Sequence, residues 1–191
     1  MAVHRRWTLA VIGVLCALML SACFGSTSEQ GSGTGAGAGT LKGKRTVWGP
    51  VSLILPKGFT LIDTSRTPDN YAATNDPGTN RTLLAVGIFD IGKIKGAFTA
   101  EARAKNDVEI ARIMATRGAV SLKQTPLAGT DDAWTLEFDT ASPVDPSQQS
   151  HQRHIFADVG DQLVLIIGQA PTDGFRGSDV AAALASVRIE G

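Results

Sequence analysis

The most constraining stretch of this chain is Trp134-Thr135-Leu136-Glu137-Phe138-Asp139, where apolar and polar residues alternate strictly. Successive strand side chains point to opposite faces, so this period of two fits a half-buried strand and does not fit a helix. It predicts Trp134, Leu136 and Phe138 inward, with Thr135, Glu137 and Asp139 outward. Soon after, residues 151–159 and 162–169 flank Gly160-Asp161, a two-residue connection suited to an antiparallel hairpin. A meander of this kind needs a cover for its apolar face, and the rest of the chain must supply it.

Upstream, Val47, Gly49, Val51, Leu53 and Leu55 read as one half-buried strand. Pro56-Lys57-Gly58 turns the chain, and residues 59–62 form a return strand. Residues 64–80 are polar and carry Pro68, Pro77 and Gly78. Loops of this length are uncommon in compact domains and tend to be functional or disordered. Tyr71, the chain's single tyrosine, lies within it and Arg81 follows it. These two are the candidate binding-loop residues, with Tyr71 expected to fold back on the domain. Residues 82–89 are a nearly continuous apolar run, expected as a central strand.

Residues 98–117 read as the main helix. Thr99 is its N-cap, Glu101 lies in the first turn, Arg117 in the last and Gly118 just past the end. Ala100, Ala104, Val108, Ala111 and Ala115 would face the sheet. Glu101, Lys105, Glu109 and Arg112 would face water. Val120 and Leu122 mark another strand, Gly129-Thr130-Asp131-Asp132 a turn, and residues 142–150 a loop. Ser178 caps a short helix over 179–186, and residues 187–189 close the chain. The sum is an α+β fold, an antiparallel sheet with helices packed on it.

The N-terminus carries a different message. Arg5 and Arg6 precede a 14-residue, largely apolar run over residues 7–20. That is shorter than the roughly 20 apolar residues needed to span a bilayer. Leu20-Ser21-Ala22-Cys23 follows, an aliphatic residue, two small residues and cysteine, which resembles the bacterial lipobox. The resemblance implies a lipoprotein signal peptide over 1–22, cleavage between Ala22 and Cys23, and diacylglyceryl (palmitate-type) modification of the Cys23 thiol. Two acyl chains anchor stably where one does not. Cys16 would leave with the signal peptide, so the mature chain would hold one cysteine and no disulfide. Residues 23–43 are rich in Gly, Ser, Thr and Ala and read as the lipidated cysteine and a flexible tether, with a reach of roughly 25 Å. Residues 44–191 read as one globular domain. The expected location is the extracytoplasmic face of the cell membrane, held by the lipid.

Charge excludes one class of partner. The chain has 18 basic and 18 acidic residues, and nucleic-acid binding calls for a basic domain with a clustered patch. No polybasic run stands ready to grip an anionic membrane either. His151 and His154 suggest a metal site only on a helix; in a strand, residues three apart face opposite ways. Gly-x-Ser-x-Gly is absent, and Asp131-Asp132 reads as turn chemistry. Trp134 is expected in the core and Trp48 partly exposed. The chain therefore presents no catalytic, metal-ligating or cofactor-binding set.

Several segments together resemble the PsbP-like domain of small bacterial lipoproteins, including the actinobacterial LpqN-type group. They are Leu55-Pro56-Lys57-Gly58-Phe59, the central helix, Leu127-Ala128-Gly129 before the Trp134 strand, and Thr172-Asp173-Gly174-Phe175 before the last helix. The resemblance implies an α/β/α sandwich around an antiparallel sheet and a non-enzymatic role in envelope binding or assembly. The leading expectation is a protein partner in the envelope, reached through an edge strand or residues 64–80. The alternative is a carrier or sensor of a small or lipidic ligand in a cavity between sheet and helix. An enzyme would need ionisable residues with perturbed pKa values converging in a cleft.

Overall fold

The computed structural model describes residues 41–190, apart from 66, 68, 80, 93–97, 131, 142–145 and the side chain of Arg117. The expected signal peptide, Ala22, Cys23 and residues 23–40 of the expected tether lie outside the described residues; of its last three residues, Leu41 packs against the core and Gly43 opens a strand.

Among the described residues, ten strands form two antiparallel sheets. In sequence order they are β1 (Gly43–Trp48), β2 (Val51–Pro56), β3 (Thr60–Leu61), β4 (Asn70–Thr74), β5 (Leu83–Asp90), β6 (Ala115–Gln124), β7 (Ala133–Ala141), β8 (Gln149–Val159), β9 (Gln162–Pro171) and β10 (Arg188–Ile189). Helix α1 (Ala100–Met114) lies between β5 and β6, and α2 (Asp179–Ala185) precedes β10. The large sheet runs β3-β4-β5-β9-β8-β7-β6 and the small one β1-β2-β10. The α+β architecture expected from the sequence is the one present.

Helix α1 packs on β6, β7 and β8. Beneath it Leu136, Phe138, Phe156, Leu163 and Leu165 form one core with Ala100, Ala104 and Ala111. The opposite face is covered by the small sheet and α2. There Val51, Leu53, Leu84, Val86, Val164, Ile166, Val180 and Leu184 form a second core. The large sheet is thus buried on both faces. This explains why Thr135, expected outward, is buried: its side points to the second core, not to water.

The helices start where their caps say. Thr99 Oγ1 accepts from the Ala102 amide at 3.1 Å, and Ser178 Oγ from the Ala181 amide at 3.1 Å. Asp158 of β8 adds a carboxylate that accepts from the Ala100 amide at 3.0 Å, the favourable charge for a helix N-terminus. The hairpin of β8 and β9 around Gly160 has the expected register.

Four expectations are corrected. The single strand from Val47 to Leu55 is two, because Gly49 adopts a left-handed φ of 57° and turns β1 into β2. The supposed loop over 64–80 contains β4, which pairs with both β3 and β5. Helix α1 ends at Met114, not at 117, and the chain passes directly into β6. The tryptophans trade places: Trp48 is buried and Trp134 only half-buried. Trp48 stacks on Tyr71 with ring centroids 5.9 Å apart and planes 7° apart. Trp134 instead donates its Nε1–H to Asp132 at 3.0 Å, with Lys105 Nζ 5.9 Å from its ring centroid.

Candidate functional site

Two polar clusters arise on β7 and β8, one on each face of the sheet. Their positions follow from strand alternation. His151 and His154 lie three apart in β8 and fall on opposite faces, as the sequence predicts, so they form no joint metal site.

On the second-core side, adjacent register pairs become polar side-chain pairs. His151 Nδ1 lies 2.8 Å from Asp139 Oδ1, and Arg153 Nε donates to Glu137. Phe175 packs on both partners: its ring lies 4.2 Å from that of His151 and 5.2 Å from the Arg153 guanidinium. All four side chains keep partial contact with water, where a pair such as Arg153–Glu137 contributes little.

The cluster under α1 is buried. Arg103 and Asp107, one helical turn apart, pair at 2.8 Å with side chains only 9% and 4% exposed. Below them sit His154 and Gln152. Gln152 Nε2 donates to Gln169 Oε1 at 3.2 Å, leaving Gln152 Oε1 to accept from His154 Nε2 at 3.0 Å. That chain of bonds places the imidazole proton on Nε2 and leaves Nδ1 as a bare acceptor. Burial, reinforced by the Arg103 charge, lowers the His154 pKa to about 4, so the ring is neutral at physiological pH. Burial raises the Asp107 pKa, against the opposing pull of Arg103.

Two atoms of this cluster have no hydrogen-bond partner, Asp107 Oδ2 and His154 Nδ1. Both residues line a cleft between helix and sheet with Ile110, Ala111, Met114, Leu136, Phe138 and Gln152. Its walls are otherwise apolar, so two unpaired acceptors stand in a low-dielectric setting where an unmet polar group costs about 1–3 kcal/mol. The free volume of the cleft is about 10 Å³, room for about one water and far below the roughly 300–1,000 Å³ of sites for drug-sized ligands. Beside it, Ile113 is 86% exposed.

Perturbed ionisable groups therefore do converge in a cleft, the condition set for an enzyme. The residues lining the cleft include no Ser, Thr or Cys. Sequence reasoning missed this site because Arg103 and Asp107 share the i, i+4 spacing of the exposed Glu101–Lys105 pair. Their only distinguishing sign is that Arg103 and Asp107 neighbour Ala104 and Ala111 on the apolar stripe.

The residues singled out beforehand are not brought together with this cleft. Tyr71 is locked in β4 against Trp48. Arg81 is half-buried, its amide 3.4 Å from Thr79 Oγ1 and its Nε buried without a partner. Residues 64–80 therefore display no free aromatic side chain from Tyr71.

No protein-family model matches this chain, and no curated protein does. Among solved structures it is similar to the Ran-binding protein Mog1p of Saccharomyces cerevisiae, at 12% identity and a TM-score of 0.49, covering 78% of this chain and 96% of that one. It is similar to the cyanobacterial PsbP (CyanoP) of Synechocystis sp. PCC 6803, at 16% identity and a TM-score of 0.49, covering 82% and 98%. It is also similar to LpqN of Mycobacterium tuberculosis, described as involved in cell envelope biogenesis, at 14% identity and a TM-score of 0.48, covering 83% and 90%.

Proposed function

We propose that this chain is a lipid-anchored, non-enzymatic binding or assembly protein of the extracytoplasmic membrane face, acting through a protein partner in the cell envelope. The observation that carries the binding role is Ile113 of α1, a large apolar side chain 86% exposed on the helix that covers one face of the sheet. A partner surface that covers Ile113 with an apolar side chain would desolvate it, as apolar anchors do at the centre of an interface. The cleft beneath α1, with about 10 Å³ of free volume, leaves no room for a carried lipid. The anchor rests on Leu20-Ser21-Ala22-Cys23.

A photo-crosslinking residue at the exposed Glu109, introduced in cells, tests the contact. A discrete protein adduct is expected, and it should disappear both on Ile113→Lys and on Cys23→Ala. An adduct pattern indifferent to Ile113→Lys removes this surface from the proposal. Retention of Cys23→Ala in the membrane fraction to the same extent removes the anchor.

A further inference from the structure

The sequence holds no long polybasic run, yet the fold builds a basic edge. Residues 30–62 contain Lys42, Lys44, Arg45 and Lys57 and no acid, whereas residues 63–191 hold 17 acids against 12 cations. The turn after β2 brings Lys42, Lys44 and Lys57 to one end of the small sheet, with Arg45 on the other face of β1. Gly43 pairs with Pro56 and Lys44 with Leu55, and the Lys57 amide donates to the Lys42 carbonyl at 2.9 Å. Lys42, Lys44, Arg45 and Lys57 are all exposed. β1 is the outer strand of the small sheet, so its cations flank one free edge.

Arg188 adds a fifth exposed cation, in register with Ser52 on the far side of β2. An acid, Glu190, joins this network. Arg45 Nη1 donates to Ser52 Oγ at 2.9 Å, and Ser52 hydrogen-bonds Glu190. The local balance stays strongly positive. Two large apolar side chains lie within the same stretch of chain, Val47 at 62% exposure and Leu61 at 66%.

We infer that this edge is a docking surface for an anionic phospholipid membrane. The inference rests on the anchored reading above and deepens it, because residue 43 is where the proposed tether enters the fold. Among possible anionic partners the membrane is the one the tether holds within reach. Cations near an anionic leaflet each contribute about five-fold in binding, Lys stems and exposed aliphatic groups can settle into the headgroup boundary, and the effect fades over a Debye length of roughly 10 Å. The lipid then sets distance and the basic edge sets orientation, with β1 toward the bilayer.

The test uses the full lipidated chain reconstituted in vesicles, with an environment-sensitive dye on Val47→Cys. In vesicles containing about 30% phosphatidylglycerol, the dye should shift to the blue. In pure phosphatidylcholine it should not. High salt, and the combined Lys42→Glu, Lys44→Glu and Lys57→Glu variant, should abolish the shift and weaken association of the non-lipidated Cys23→Ser chain on the order of 100-fold. Identical spectra in the two vesicle types, or a shift that survives charge reversal, overturn the inference. So does a shift seen only in native envelope vesicles and removed by protease, which assigns the edge to an acidic protein. Flotation of the lipidated chain in high salt reports the anchor separately, so failure of the anchor and failure of the edge are distinguishable.

Discussion

The two faces of the large sheet are covered by different chemistry. The face under the small sheet and α2 closes on aliphatic side chains, and Gly168 lets α2 approach: a Cβ there would stand 2.5 Å from Leu184 Cδ1 and 2.9 Å from Val180 Cγ1. The face under α1 is also largely apolar, but it buries Arg103, Asp107, Gln152 and His154. An aliphatic interface is satisfied by shape alone. A buried polar one is satisfied only when every donor and acceptor is matched, and here two acceptors are not. The first face is closed by shape, and the second carries unmatched acceptors in its interior.

Breaking the polar face should have the largest effect. Arg103→Met leaves the Asp107 carboxylate buried without its cation and should cost about 3–5 kcal/mol in urea unfolding. Arg103→Met combined with Asp107→Leu should recover most of that loss, since a buried ion pair replaced by apolar groups is often neutral. If the single and double variants are equally unstable, the pair is not acting as a buried charge unit.

The next effect is a pH dependence confined to the same face. The folded-state pKa of His154 is about 4 against an ordinary 6.5, so the folded state prefers the neutral ring. Its contribution is fully present above pH 6.5 and is lost as pH falls from there toward 4, on the order of 3 kcal/mol in total. Asp107 acts in the opposite sense: its raised pKa makes the folded state take up a proton more readily, offsetting part of the loss at the acid end. Urea midpoints across this window should fall for the native chain and stay flatter for His154→Leu. Parallel curves would mean that His154 does not titrate against burial.

The smallest effect sharpens the aliphatic face. Gly168→Ala should cost about 1–3 kcal/mol by overpacking against α2, with no change in that pH profile. A neutral Gly168→Ala would show that α2 rides loosely on the sheet.

What the sequence disclosed about this fold follows local physics. Thr99 and Ser178 were readable as caps because a cap is a bond between near neighbours. The β8–β9 hairpin was readable because its turn and both strands are contiguous. β4 was not, since Asn-Tyr-Ala-Ala-Thr has no alternation and acquires its strand character by pairing with β3 and β5. Trp48 could not be placed, because its burial depends on Tyr71, more than twenty positions away. The cleft was invisible for the same reason: Asp107 and His154 meet only through the packing of α1 on β8. The end of α1 was misplaced because Gly118, which looks like a stop signal, serves an irregular stretch of β6 instead.

The layout of β1 also has a mechanical consequence. Any tension arriving through residues that precede Leu41 meets an outer strand whose ladder runs only to β2, with Leu41 packed on the core and the Lys42 carbonyl bonded to the Lys57 amide. The strand is exposed from Gly43 to Arg45 and buried at Trp48. A pull directed away from the sheet would have to free Leu41, then unzip the ladder from Gly43, and would reach the seven-stranded sheet only at the Trp48–Tyr71 stack. The domain would thus have a shock absorber at its point of attachment, and the tryptophan ring would serve as its catch.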